Sequence, residues 1–425
     1  MEVFRKEIMP AVMLTCLKTG KFKTGYISIN LLTQLTRDTA PATALVPKVL
    51  SRGTKTYPDI KSLSGALCGM YGARIDPSVR KIGEIQAVGF TASFIDDSFV
   101  PEGEHLLERV TELMGEMLLS PETRGGLLLP SYTDSEKEKL LESIRGRVND
   151  KRSYALLRML EKMCCYEDYA VPAYGFEDEC ESVNYKKLTK RWKELLTQSP
   201  VEIFFCGSAE PERVERAVRE TLLNLPRGEI DYEIGTDIRM NSVEEHERTF
   251  TEEMDVNQGK LSVGFRLGEC MEDPDFAAIR VFNAVYGGCL TSKLFMNVRE
   301  RLSLAYYAGS SVDIHKGIMC VNSGIEFDKY DAALSEIFAQ LDAMRRGEIT
   351  DEELENAKKA LATDLRTTMD SQEGLEYFCL AHILEGVECL PDEMAGLVEL
   401  VTKQDVVDIA NSVECDAVYF LRGEE

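Results

Sequence analysis

"FKTGYISINLL" (Phe22–Leu32) and "NQGKLSVGFRL" (Asn257–Leu267) are the two stretches that decide the architecture. Each alternates residue character after a turn bearing Gly or Lys, the period-two pattern of a strand with two unlike faces. The two are succeeded by similar segments. A short polar turn leads to a helix rich in small residues, "ATALVPKVLSRG" (Ala42–Gly53) in the first half and "FAAIRVFNAVYGG" (Phe276–Gly288) in the second. Both stop at glycine, Gly53 and Gly287–Gly288, as helix C-termini do.

The parallel extends outward. "LPSYTDSEKEKLLESIRGRV" (Leu129–Val148) and "GEITDEELENAKKALATDL" (Gly347–Leu365) each read as a long helix. Thr133 with Glu136, and Thr350 with Glu353, have the spacing of a capping box and mark the expected helix starts. "SPVEIFFCGSAEP" (Ser199–Pro211) and "ECDAVYFLRGEE" (Glu414–Glu425) read as equivalent closing strands. The order strand, helix, strands, helix, long helix, strand therefore occurs twice, giving a tandem α+β duplication with halves of roughly 200 residues. The expected domains are 1–228 and 249–425. A polar linker at 229–248 separates them, rich in turn residues and without a sustained period.

Composition narrows the function classes. The chain has 425 residues and a formal charge of −24, from 49 Lys and Arg against 73 Asp and Glu. Such a surface repels nucleic acid and anionic membranes, so neither is an expected partner. No run approaches the ~20 apolar residues of a bilayer span, and the first twenty residues read as a strand rather than a signal peptide. The twelve cysteines are scattered without a CxxC pair, and Cys16, Cys206, Cys320 and Cys415 fall in apolar, strand-like runs. Buried thiols in a reducing cytoplasm are the expectation.

Catalytic patterns are missing. The four histidines, His105, His246, His315 and His382, never fall within five residues of one another, so no helical two-histidine zinc site exists. His382 and Glu385 have His-x-x-Glu spacing, but Gly386 stands where a further ligand would be needed. His105 reads as a surface residue, His246 as a linker residue and His315 as part of a hairpin turn, "DIHKG". There is no Gly-x-Ser-x-Gly elbow, phosphate loop or dinucleotide fingerprint.

Specific residues then carry a resemblance. "NVRERLSLAYY" (Asn297–Tyr307), preceded by "NAVYGGCLTSKLF", resembles the Arg-Glu-Lys-x-x-Leu-x-Tyr segment of the insulinase/pitrilysin zinc metallopeptidase family. "VLSRGTKTYPD" resembles that family's turn after its zinc helix, and "CCYEDYAVPAYGFEDECESVNYKKLT" its Pro-Tyr-Gly stretch. The resemblance runs along nearly the whole chain and is strongest to a bacterial subgroup associated with 5-aminopentanol modification of elongation factor P. It implies a tandem processing-peptidase-like fold, an antiparallel-rich sheet covered by helices in each half.

Active members carry His-x-x-Glu-His on the first helix, two imidazoles for zinc and a carboxylate to activate water. Aligned on Gly53–Thr54, the two ligand positions fall on Ala44 and Lys48 and the general base on Pro47. The third ligand falls on Ser143, while Glu136 matches an accessory glutamate. The resemblance thus implies no metal, no cofactor and no catalytic residue in this chain. It also implies that Arg299 and Tyr306 match the arginine–tyrosine pair which one half contributes to the other half's site, with Gly287 and Gly288 lining the substrate cavity. The expected role is a non-catalytic, substrate-binding subunit of a two-chain zinc endopeptidase. Its partners would be a homologous zinc-bearing chain and a peptide or unfolded protein, with a homodimer open for the chain alone. A non-proteolytic scaffold is the alternative, and a self-sufficient hydrolase is disfavoured.

Overall fold

The computed structural model describes residues 2–244 and 246–424. The chain divides into two compact units, Met1–Arg145 with Val171–Gly235, and Gly146–Ala170 with Thr236–Glu425.

The first unit is built on a six-stranded sheet. Its strands are β1 (Glu2–Met9), β2 (Val12–Lys18), β3 (Thr24–Gln34), β4 (Arg74–Ile82) and β5 (Ile85–Ile95), with a late addition. A two-residue ribbon, β6 (Thr123–Arg124) and β7 (Leu127–Leu128), precedes that addition, β8 (Val201–Gly207). The spatial order is β1-β2-β8-β3-β5-β4. β2 and β8 are parallel, and the other neighbours are antiparallel. One face, carrying Ile27, Ile29, Leu31, Val88, Phe90 and Ile203, shares a core with residues from several helices. These helices are α1 (Ala40–Leu50), α2 (Ile60–Cys68), α3 (Leu106–Leu119) and α4 (Pro130–Gly146). Past α5 (Lys151–Met163), which belongs to the second unit, come α6 (Glu177–Glu181), α7 (Tyr185–Gln198) and α8 (Pro211–Thr221).

The second unit repeats this plan with β9 (Arg248–Glu253), β10 (Gly259–Arg266), β11 (Ala305–Asp313), β12 (Ile318–Ile325) and β13 (Glu414–Arg422). Its order is β11-β12-β10-β13-β9, with β9 and β13 parallel. Taken from the other edge, that is the first sheet without β1. Both expected signature strands, β3 and β10, therefore occupy the same central place. Helices α9 (Phe276–Asn283), α10 (Tyr330–Arg345), α11 (Asp351–Thr368), α12 (Gln372–Leu384), α13 (Pro391–Leu400) and α14 (Lys403–Ser412) complete the unit. Leu261, Val263, Phe265, Val418 and Phe420 join the core on one face of the sheet.

The structure corrects two expectations. Thr350 does cap α11, accepting from the Glu353 amide while the Glu353 carboxylate accepts from the Thr350 amide. Thr133, however, is buried inside α4, with its hydroxyl bonded back to the Leu129 carbonyl at 3.1 Å. Pro130 supplies a preset φ for the first turn, so the helix starts earlier than the threonine signal suggests.

The second correction concerns the domains. Residues 146–170, expected within 1–228, group with the later half. Ala155, Met159 and Met163 on α5 pack with Ile318, Cys320, Ala417, Tyr419 and Leu421, which alternate with the core residues and so lie on the sheet's other face. Gly264 makes room for them, because a Cβ there would stand 2.5 Å from the Met163 Sδ. Beyond α5 the chain is tied by charge. Arg266, wholly buried, donates to both Glu167 oxygens (2.6 and 3.0 Å) and to Asp416 (2.9 Å). Lys316 pairs with Glu167 at 2.8 Å, and Arg248 with Asp416 at 2.6 Å. Burying five charges is tolerable only because each has opposite partners in hydrogen-bonding geometry.

Candidate functional site

In the first unit, α1 stands where the zinc helix was expected. Ala44 is fully buried among apolar neighbours, and Pro47 is buried as well. The helix continues through Pro47 although proline removes one backbone donor. Lys48 is half-buried, with its ammonium 5.3 Å from the centre of the Tyr174 ring, a cation–π contact that places the charge on an aromatic face. Ser143 is exposed on α4. Glu136 is buried and already taken, by Arg52 at 3.0 Å and Lys139 at 2.7 Å.

The zinc of active family members needs two imidazoles, a carboxylate ligand and a carboxylate base. A methyl group, a pyrrolidine ring, an ammonium and an exposed hydroxyl stand in their place. This donor set does not fit the metal. The turn after α1 is nonetheless built: a Cβ on Gly53 would lie 2.4 Å from the Pro58 carbonyl oxygen, and the Thr54 amide donates to the Tyr57 carbonyl at 2.7 Å.

One cluster in this unit escaped sequence reading. Asp97, His105 and Glu108 bring one ligand atom each within 4.8 Å of one another. Arg213 enters the same group, pairing with Asp97 and, at 2.6 Å, with Glu108. The cluster is therefore charge-compensated by a guanidinium. His105, expected on the surface, is indeed exposed.

In the second unit, α9 runs into a π-helical turn, Ala284–Gly288, and a second such segment spans Phe295–Arg301. Gly287 is a close-approach glycine: a Cβ there would meet the Ser310 amide nitrogen of β11 at 2.5 Å. Gly288 lies beside Asn283. Arg299 is partly exposed, stacked over the Phe295 ring at 4.7 Å, and 3.6 Å from Glu300.

Tyr306 lies on the edge strand β11 and is 58% exposed, which excludes a core aromatic. Tyr307 turns to the other face, half-buried with Arg152 4.4 Å above its ring. The pairing of β11 with β12 shifts between Ala305 and Tyr307, so Tyr306 is the extra residue of a bulge. Three residues earlier Ser303 has φ of +49°, an unfavourable conformation for a residue with a side chain. Bulges, positive-φ residues and π-helical turns recur where a side chain must be aimed. None of the three had a signal in the sequence.

Tyr306 hydrogen-bonds Glu326, whose carboxylate holds the phenol above its ordinary pKa and so keeps it a donor. Arg299 thus offers a partly exposed guanidinium and Tyr306 a protonated phenol, groups of the kind that bind a peptide carbonyl or carboxylate.

Comparison with known proteins bears on the fold and the family. The model of the family described as "Peptidase M16 inactive domain" matches residues 182–361. A Bacillus subtilis (strain 168) protein named "Probable inactive metalloprotease YmfF" is 31% identical over 410 residues, covering 96% of this chain and 95% of that protein. The crystal structure of a conserved protein from Enterococcus faecalis V583 superposes with a TM-score of 0.89 at 26% identity, over 99% of each chain. That of a peptidase M16 inactive domain from Pseudomonas fluorescens gives 0.75 at 14% identity, over 100% of this chain and 98% of the other, a likeness of fold. The duplicated sheet, the helix without ligands and these likenesses agree: the chain belongs to the M16, insulinase/pitrilysin-type metallopeptidase family, among its inactive homologues.

Proposed function

We propose that this chain is the substrate-binding, site-completing subunit of a two-chain zinc endopeptidase whose metal resides in a homologous partner. One observation carries the reading. The positions aligned with the family's zinc ligands and base carry no imidazole and no carboxylate, while Arg299 is partly exposed and Tyr306 exposed, the latter aimed by a bulge on an edge strand. Lost chemistry beside kept recognition groups fits a subunit that grips peptide rather than one that cuts it. β11 is the edge strand of its sheet, the kind of place to which an extended peptide adds. Exposed Leu290, Met296 and Leu302 in the same segment offer apolar contacts to its side chains. None of the twelve cysteines is in a disulfide, which is in keeping with a reducing setting.

A scaffold role is the second reading, and one feature favours it. The Tyr306 phenol and the Arg299 guanidinium are each engaged locally, with Glu326 and Phe295.

The test is hydrolysis of quenched fluorescent peptides by this chain, by a zinc-motif homologue from the same organism, and by the mixture. Activity confined to the mixture, and reduced about 10²-fold by Tyr306→Phe or Arg299→Ala, supports the proposal. Turnover by the homologue that is indifferent to mixing refutes it.

A further inference from the structure

Among the described residues of the second unit, the cations Arg266, Lys316 and Arg248 each have a carboxylate partner, but Arg280 on α9 has none within ion-pairing distance. Arg280 lines a cavity of about 110 Å³ together with Asn283, Cys289, Val312, Ile314 and Leu361. Its Nε is fully buried and has no hydrogen-bond partner. One of its terminal nitrogens lies 3.2 Å from the His382 Nε2. The other ring nitrogen of His382 is 2.8 Å from the Phe378 carbonyl oxygen. A carbonyl can only accept, so Nδ1 carries the proton and Nε2 presents its lone pair to Arg280. The imidazole thereby fixes one corner of the guanidinium and leaves its remaining donors with work to do.

Burial presses on the Arg280 charge and pulls its pKa down. The guanidinium fork matches a carboxylate in two parallel hydrogen bonds. The cavity is several times larger than one water requires, and its walls include Val312, Ile314, Ala360 and Leu361, which suit a short hydrocarbon tail. Asp364, also at this cavity, repels a second negative charge and so selects against a dianion.

We propose that this cavity binds a small aliphatic monocarboxylate, its carboxylate on Arg280 and its tail against Val312, Ile314 and Leu361. Gly288, expected to line the substrate cavity, borders this cavity too, whereas Arg299 and Tyr306 do not. Occupation would brace α9 against β11, because Val312 belongs to that strand and Ser310 already bonds Asn283 at 2.7 Å.

The experiment is titration of the full chain with butyrate, n-butanol and inorganic phosphate. It would be monitored through the His382 imidazole resonances and by calorimetry. Saturable butyrate binding that moves the His382 signals is expected, with phosphate and butanol each at least about tenfold weaker. Arg280→Lys keeps the charge but loses the fork, and should weaken butyrate about tenfold. Asp364→Asn, at an exposed position, should tighten it about two- to fivefold and guards against a folding defect in the first variant. No saturation at tens of millimolar butyrate, equal binding of butanol or phosphate, or indifference to both substitutions would overturn the proposal.

Discussion

Glu167→Gln removes one charge from the buried network that ties residues 146–170 to the second unit. The carboxylate is 6% exposed and accepts three charge-assisted bonds, two from Arg266 and one from Lys316. Losing one member of a buried ion pair costs about 3–5 kcal/mol, because the opposite charge stays buried. Here Arg266 keeps Asp416, so the lower end, about 3 kcal/mol, is expected. The assay is amide hydrogen exchange of α5 and β13, where that loss would appear as a protection drop of about 10²-fold at neutral pH.

The pH dependence supplies a second arm. Burial pushes the Glu167 carboxyl up, but the bonds from Arg266 and Lys316 outweigh it and leave the group below its ordinary 4.5. A depressed carboxyl stabilises the fold fully above its unfolded pKa and loses that contribution as pH falls through the folded one. The wild-type chain and the variant should therefore differ most at neutral pH and converge in acid. Unchanged protection of α5 in the variant, or a difference that persists undiminished in acid, would refute the reasoning.

Single contacts give three further expectations. Gly89→Ala would place a Cβ 1.9 Å from the Ile29 carbonyl oxygen at the β3–β5 pairing. The backbone cannot yield there, so a loss of about 2–4 kcal/mol is expected in urea denaturation. Burial, with Arg280 nearby, holds His382 down at about 4, against 6.5 in an unfolded chain. Its contribution is intact above the unfolded value and lost as pH falls towards the folded one, roughly 3 kcal/mol in all. His382→Gln should flatten thermal stability across that window. Thr350→Ala removes both a side-chain acceptor and the capping box of α11, and should lower the melting temperature by the equivalent of about 1 kcal/mol.

Much of this fold was legible because duplication repeats its own evidence. β3 and β10 announced themselves by alternation, but the glycine signals misled as caps: Ser51 caps α1, Cys289 follows the π-helical turn, and neither Gly53 nor Gly287–Gly288 has a positive φ. The capping-box signal was readable at Thr350. It misled at Thr133, because Pro130 sets the start of α4 instead. The placement of α5 was not legible, because an amphipathic helix records that it has an apolar face and not which sheet will cover it. That Ala44, Pro47, Lys48 and Ser143 carry no imidazole and no carboxylate could be read from residue types alone. The aim of Tyr306 could not, since a bulge and a positive φ at Ser303 are backbone events without a compositional mark. Arg280 drew no attention in the sequence, because a missing partner is a property of space rather than of sequence.

The seat of α5 also sets a schedule for synthesis. Met159 and Met163 leave the ribosome long before Ala417, Tyr419 and Leu421, the β13 residues they pack against. About 250 residues separate them, on the order of 10–50 s at typical translation rates. During that interval a helix with an apolar stripe has no sheet to lie on, while the sheet of the first unit is already complete in sequence at Gly207. One defined apolar face thus stays uncovered until the last strand has been made. A release of the chain after residue 228 would strand that helix permanently.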